Sequence, residues 1–133
     1  RNVIPGVIGL YLTDPAVDLH QRYAAGNSSA QANVRAAYRI LADGSNYDTE
    51  TAGFDPGKQS WIGWRGMPVR IRASTTDATV PFDLHAQMLS TKLSLHNDVD
   101  LTNLGSGSHN AANRFNAADM IAFIQKCAGG PTL

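Results

Sequence analysis

The sequence predicts an α/β fold, a mainly parallel sheet with helices on its faces, on three observations. Apolar or alternating segments near residues 7–12, 68–74 and 99–104 have strand character. Segments with apolar residues at helical spacing lie between and after them. Each pair of successive strands is separated by enough chain for a crossover, which parallel pairing requires.

Val7-Ile8-Gly9-Leu10-Tyr11-Leu12 is a short continuous apolar run stopped by Thr13-Asp14-Pro15, and its length predicts a strand buried on both faces. From Asn27 a polar cluster offers caps for a helix carrying Val34, Ala37, Tyr38 and Leu41, with Gly44 as its stop. Residues 45–66 have no period and carry Tyr47, Phe54, Trp61 and Trp64, which predicts a long ordered loop or cap. Pro68 to Ser74 alternates apolar and basic, the pattern of a strand with one buried face. Pro81 then sits in the first turn of a helix with Phe82, Ala86, Leu89 and Leu93 on one stripe. Val99 to Leu104 gives another strand. Met120, Phe123, Ile124 and Cys127 mark the inner face of a last helix, ended by Gly129-Gly130-Pro131.

At 133 residues the chain fits one domain or half-domain, able to bury roughly two thirds of its unfolded surface. Eleven basic and eleven acidic side chains cancel without forming like-charge blocks. That balance excludes a nucleic-acid footprint or a polybasic membrane patch, and favours a small neutral ligand or another protein as partner. No apolar run approaches the ~20 residues of a transmembrane span, so a soluble chain is expected. The compartment stays open, with secretion or a bacterial or phage surface compatible. Cys127 stands alone, which excludes an internal disulfide and a cysteine-rich zinc site. The chain begins at Arg1 and reaches a strand-like run at once, the appearance left when a preceding segment is removed.

In open parallel sheets, functional groups collect just past the carboxyl ends of the strands. Asp77 follows the Val69 to Ala73 strand and His109 follows the Val99 to Leu104 strand, with one helix between them. Neighbouring parallel strands bring such loops side by side. A carboxylate there takes the imidazole Nδ1 proton, fixes the tautomer and leaves Nε2 as a base. His20, His85 and His96 have no spaced carboxylate or second ligand that would make a metal site, and nothing calls for a cofactor. Trp61 and Trp64 are weak candidates for a substrate surface, with Tyr47 and Phe54 beside them; pinning the long loop to the body is the plainer role. For Arg70 and Arg72, on one strand face, a solvated surface or pairing with Asp100 is expected, and anchoring an anionic substrate is the alternative.

"PVRIRASTTDATVP" followed by "VDLTNLGSGSHN" resembles the carboxyl-terminal part of the α/β-hydrolase fold. There an acid sits in a D-x-x-V-P turn after the seventh strand, and a histidine in a glycine loop after the eighth. The resemblance extends to most of the chain: Val7 to Leu12 is similar to the sixth strand, and residues 13–66 occupy the place of a cap or lid insertion. It implies strands 6 to 8 of a hydrolase sheet, with Asp77 as triad acid and His109 as triad base. The small residues before His109 would let its loop approach a nucleophile closely.

The family's nucleophile lies upstream of these residues in a G-x-S-x-G elbow, and this chain has none. Gly26-Asn27-Ser28-Ser29-Ala30 and Gly105-Ser106-Gly107-Ser108-His109 both lack the final glycine. The resemblance therefore implies the carboxyl-terminal chain of a serine hydrolase, an esterase, whose serine and oxyanion hole come from a separate amino-terminal fragment. That pairing is a heterodimer made by assembly or by proteolytic processing. The alternative is an inactive half-fold acting as a structural or binding subunit; a small independent domain with an unrelated ligand site is the third reading.

Overall fold

Three parallel strands organise the part of the chain that carries Asp77 and His109. A computed structural model describes residues 7–26, 28–61, 65–109 and 111–129. The chain divides into two compact units, one formed by Arg1–Pro15 with Ser60–Leu133 and the other by Ala16–Gln59.

In the first unit the strands are β1 (Leu10–Thr13), β2 (Val69–Ala73) and β3 (Val99–Asn103), in the order β1-β2-β3. Leu10 pairs with Val69 and Val69 with Val99, so β2 and β3 end opposite each other at Ala73 and Asn103, and β1 ends one position earlier, at Thr13 opposite Arg72. The central strand alternates as its sequence requires: Val69, Ile71 and Ala73 are buried, while Arg70 and Arg72 face the other side. β1 is shorter than its apolar run and lies at an edge, where Leu10, Tyr11 and Leu12 are half-buried and Thr13 and Ile8 are exposed. Burial on both faces, expected for the first strand from its apolar run, is therefore not found there, and β2 has the single fully buried face that its apolar–basic alternation predicts.

After β2 the chain enters a π-helical turn (Asp83–Gln87) that runs into an α-helix (Met88–Ser94). These segments pack against β2 and β3 through buried Ala86, Leu89 and Leu93. The last helix (Ala117–Cys127) is capped by Asn116, whose side chain accepts a hydrogen bond from the Asp119 N–H. It covers the arginine face of the sheet. Phe123 packs against the ring of Tyr11, and the Arg70 guanidinium lies 5.8 Å from the Phe123 ring. Asp119 accepts from Arg70, from Arg72 at 3.3 Å and from the Tyr11 hydroxyl at 2.9 Å, while Arg70 also meets Asp100 at 3.0 Å. The two arginines are thus occupied mainly by a helix carboxylate, and only in part by the strand neighbour expected from sequence. Ile124, expected on the inner face, is exposed, as are Ile121 and Phe115; only Phe123 of this helix is buried.

The Ala16–Gln59 unit holds three short helices, Leu19–Ala25, Ser28–Tyr38 and Tyr47–Thr51. The second ends at Tyr38 because Arg39 takes a left-handed conformation (φ 56°), and Leu41, which continues the helical spacing, is exposed. Gly44 (φ 74°) belongs to a later turn. The region 45–59, expected to lack period, contains the third helix and a 3₁₀ turn (Pro56–Lys58) capped by buried Asp55. No helix among the described residues is long and apolar enough to cross a membrane.

Candidate functional site

Because β1, β2 and β3 finish within one position of one another, the residues just beyond them converge. Asp14 follows β1, Ser74 to Asp77 follow β2, and the 104–109 loop follows β3. Ser74 is fully buried, and its hydroxyl lies 2.5 Å from the Gly105 carbonyl oxygen and 3.2 Å from that of Gly107. The Thr76 hydroxyl accepts from the Gly107 N–H at 2.8 Å. The loop after β2 therefore fastens the loop after β3, and a glycine loop that would otherwise wander holds its imidazole in one place.

That imidazole meets Asp77. His109 Nδ1 lies 2.8 Å from Asp77 Oδ2, and the Asp77 side chain is fully buried. The other oxygen, Oδ1, accepts from the backbone N–H of Thr79 at 2.8 Å and of Val80 at 3.0 Å. Burial pushes this carboxyl upward, but the hydrogen bonds from His109 and from the Val80 and Thr79 amides outweigh it, and its pKa lies below the ordinary value. An ionised carboxylate only accepts, so Nδ1 donates to it, and in the neutral ring Nε2 carries the lone pair. His109 keeps 29% of its side chain exposed, enough to meet a reactant.

Behind the pair lies a second layer that the sequence does not announce. Arg114, 6% exposed, sits in a 3₁₀ turn (Ala112–Arg114) and forms an ion pair through Nε with Asp14, which is equally buried. Its Nη2 donates to the carbonyl oxygens of Gly107 at 3.0 Å and Ser108 at 2.7 Å, and lies 3.9 Å from Asp77 Oδ2. Burial raises the Asp14 pKa, opposed by the Arg114 charge and reinforced by that of Asp77. Asp14 has φ 41°, a conformation costing a non-glycine residue of order 1 kcal/mol or more, and it is held there by its N–H to the Arg72 carbonyl.

Asp14, Asp77 and His109 offer ligand-type atoms within 4.8 Å of one another, a spacing that could hold a cation. Arg114 already supplies the positive charge there, so the arrangement reads as an ion-paired network around the histidine. Cys127 is half-buried on the last helix, and burial pushes its thiol up, away from the thiolate form a nucleophile needs. Trp61 is half-buried on the segment leading toward β2, and Trp64 lies outside the described residues. Tyr47 and Phe54 line a cavity in the Ala16–Gln59 unit.

The structure thus brings Asp77 and His109 together in hydrogen-bonding contact, and adds Asp14, Ser74, Thr76 and Arg114 around them. A turn aspartate directly after a strand and an arginine five residues past a loop histidine were the available signals for the inner pair. No known protein family, curated protein or solved structure matches the chain.

Proposed function

We propose that this chain is the carboxyl-terminal component of a serine hydrolase acting on small esters, supplying Asp77 and His109 to a serine carried by a separate amino-terminal polypeptide. The observation that carries the reading is the His109 Nδ1 to Asp77 Oδ2 contact of 2.8 Å, with the opposite carboxylate oxygen locked by two backbone amides. This is the geometry a base needs when its tautomer must be fixed before a proton arrives. In the reaction, His109 Nε2 takes the proton of the partner's serine hydroxyl as the oxygen attacks the ester carbonyl. The same nitrogen then returns that proton to the leaving alcohol, and an acyl-enzyme remains for water to hydrolyse. Asp77 stays ionised throughout and stabilises the imidazolium.

Two features support a second chain. β1 is an edge strand, and Ile8, Phe115, Ile121 and Ile124 are exposed apolar residues of the same unit. A three-stranded parallel sheet in the order β1-β2-β3 is compatible with the reading of these strands as 6 to 8 of an α/β-hydrolase sheet.

A structural or binding subunit without chemistry is the second reading, favoured by the absence of any G-x-S-x-G in the sequence. Intact mass spectrometry of the native material, before and after a fluorophosphonate serine probe, separates the two. A second polypeptide that gains one adduct, and fails to gain it beside His109→Ala, supports the hydrolase. An obligate partner that never labels supports the structural subunit.

A further inference from the structure

Apart from the Asp77–His109 site, the Ala16–Gln59 unit encloses a cavity of its own, and its walls are unusually aromatic. Tyr23, Tyr38, Tyr47 and Phe54 all line it, together with Val34 and Gln31. Tyr47 is buried and central. Its ring stacks on Tyr23 at 5.2 Å and on His20 at 4.6 Å, while Tyr38 and Phe54 form a tilted pair at 5.8 Å. Two aromatic pairs from different helices and turns therefore border one space.

The cavity measures about 220 Å³. An apolar cavity of about 150 Å³ is known to admit benzene, so this one has room for a single ring with a short substituent. Its polar groups are largely committed to the protein itself. The Thr51 hydroxyl donates to the Tyr47 carbonyl at 2.8 Å, and the Gln31 amide nitrogen donates to the carbonyls of Tyr23 and Ala24 at 3.2 and 3.4 Å. The Tyr47 phenol is pushed up to about 12, by burial first and then by the charge of Asp55, so it stays neutral across the working pH range. Phe54 is 64% exposed and Tyr38 37% exposed, a placement that leaves large apolar surface in water unless something covers it.

We infer that the Ala16–Gln59 unit carries a binding site for a single substituted aromatic ring, seated among Tyr23, Tyr38, Tyr47 and Phe54. Ring-on-ring contact is what these walls supply beyond plain area burial, because offset and edge-on aromatic pairs gain from their quadrupoles. An aliphatic group of equal volume gains only the burial. The site does not depend on the role given to Asp77 and His109, and it stands or falls separately.

The test is titration of the full chain with phenol, cyclohexanol and hexan-1-ol, followed by NMR of the tyrosine ring and Val34 methyl signals. Phenol is expected to give saturable shifts at Tyr23, Val34 and Tyr47 with a Kd on the order of 1 mM, within reach of so small a ligand. Cyclohexanol and hexan-1-ol are expected to bind at least several-fold more weakly. Val34→Phe, which fills the space, is expected to abolish the shifts. Phe54→Ala, at an exposed position where folding is not at stake, is expected to weaken phenol several-fold; Leu41→Ala, an exposed residue outside the lining, is expected to change nothing. No saturable shift with phenol, equal binding of cyclohexanol, or unchanged affinity in Phe54→Ala would each overturn the proposal.

Discussion

Arg114 and Asp14 form an ion pair in which each side chain is only 6% exposed, directly behind the carboxylate that holds His109. A buried pair of this kind is weak evidence for net stability, since desolvating two charges offsets most of their attraction. Breaking it is another matter. Either Arg114→Ala or Asp14→Ala strands an uncompensated charge, and each is expected to destabilise the unit by about 3–5 kcal/mol. Replacing both residues by apolar ones is expected to cost far less than the sum. Urea unfolding of the two single variants and the double variant checks this; additive losses would show that the residues act independently.

The Asp77 carboxylate should set part of the acid stability. Its folded pKa is depressed below its ordinary value of 3.8, so its contribution is present above that pH and is lost as pH falls through the folded value. Asp14 runs the other way. Its pKa is raised by burial, so its contribution weakens as pH rises from 3.8 through its folded value. Unfolding measured from pH 7 downward in the native chain and in Asp77→Asn is therefore expected to show a gap that closes below about pH 4. A constant gap would mean that Asp77 acts through packing alone.

For catalysis, Asp77→Asn is the informative change because it preserves shape. The asparagine oxygen can still accept from the Thr79 and Val80 amides. Its amide nitrogen, now opposite His109 Nδ1, donates where the carboxylate accepted, which forces the ring into the tautomer with its proton on Nε2. With the partner chain present, ester hydrolysis is expected to fall by roughly 10³–10⁴-fold while the fold is retained. A loss below tenfold, measured as kcat with an activated ester, would count against His109 as the base.

The loop after β3 is held by Ser74 and Thr76 as much as by its own turns. Thr76→Val removes the hydroxyl that accepts the Gly107 N–H at 2.8 Å, and Ser74→Ala removes the buried hydroxyl beside the Gly105 carbonyl. Each is expected to cost about 1–2 kcal/mol. Faster hydrogen exchange at Gly107 in Thr76→Val, with β1 and β2 unchanged, would locate the effect in this loop.

Why the outer pair was legible and the inner one was not follows from separation and composition. Asp77 and His109 each stand a few residues beyond a strand with a clear local pattern, so topology alone brings them together. Asp14 and Arg114 lie one hundred positions apart and look like ordinary surface charges in the sequence; only the folded chain buries them. The helices followed the same rule. Leu41 and Ile124 continue apolar spacings, yet Arg39 turns the backbone away before one, and the other lies outside the contact made by Phe123. The short helix Leu19–Ala25 leaves no apolar stripe in the sequence because none of its residues is fully buried, although Asp18 caps it by accepting from the Gln21 N–H. Tyr47 and Phe54, placed in an irregular loop by the absence of a period, became cavity walls because a third helix begins at Tyr47.

Gly9 shows how closely the last helix approaches the sheet edge. A Cβ added there would overlap Cys127 Sγ and come within 3.1 Å of the Phe123 ring. The thiol has few rotamers open to it on a helix, and Phe123 is packed against Tyr11, so neither neighbour yields freely. Gly9→Ala is therefore expected to destabilise the unit by about 1–3 kcal/mol, as overpacking usually does. Adding Cys127→Ala to Gly9→Ala removes the larger overlap, and the double variant is expected to regain at least half of the loss in thermal unfolding. No recovery would place the strain at Phe123 instead and predict that Phe123→Leu relieves it.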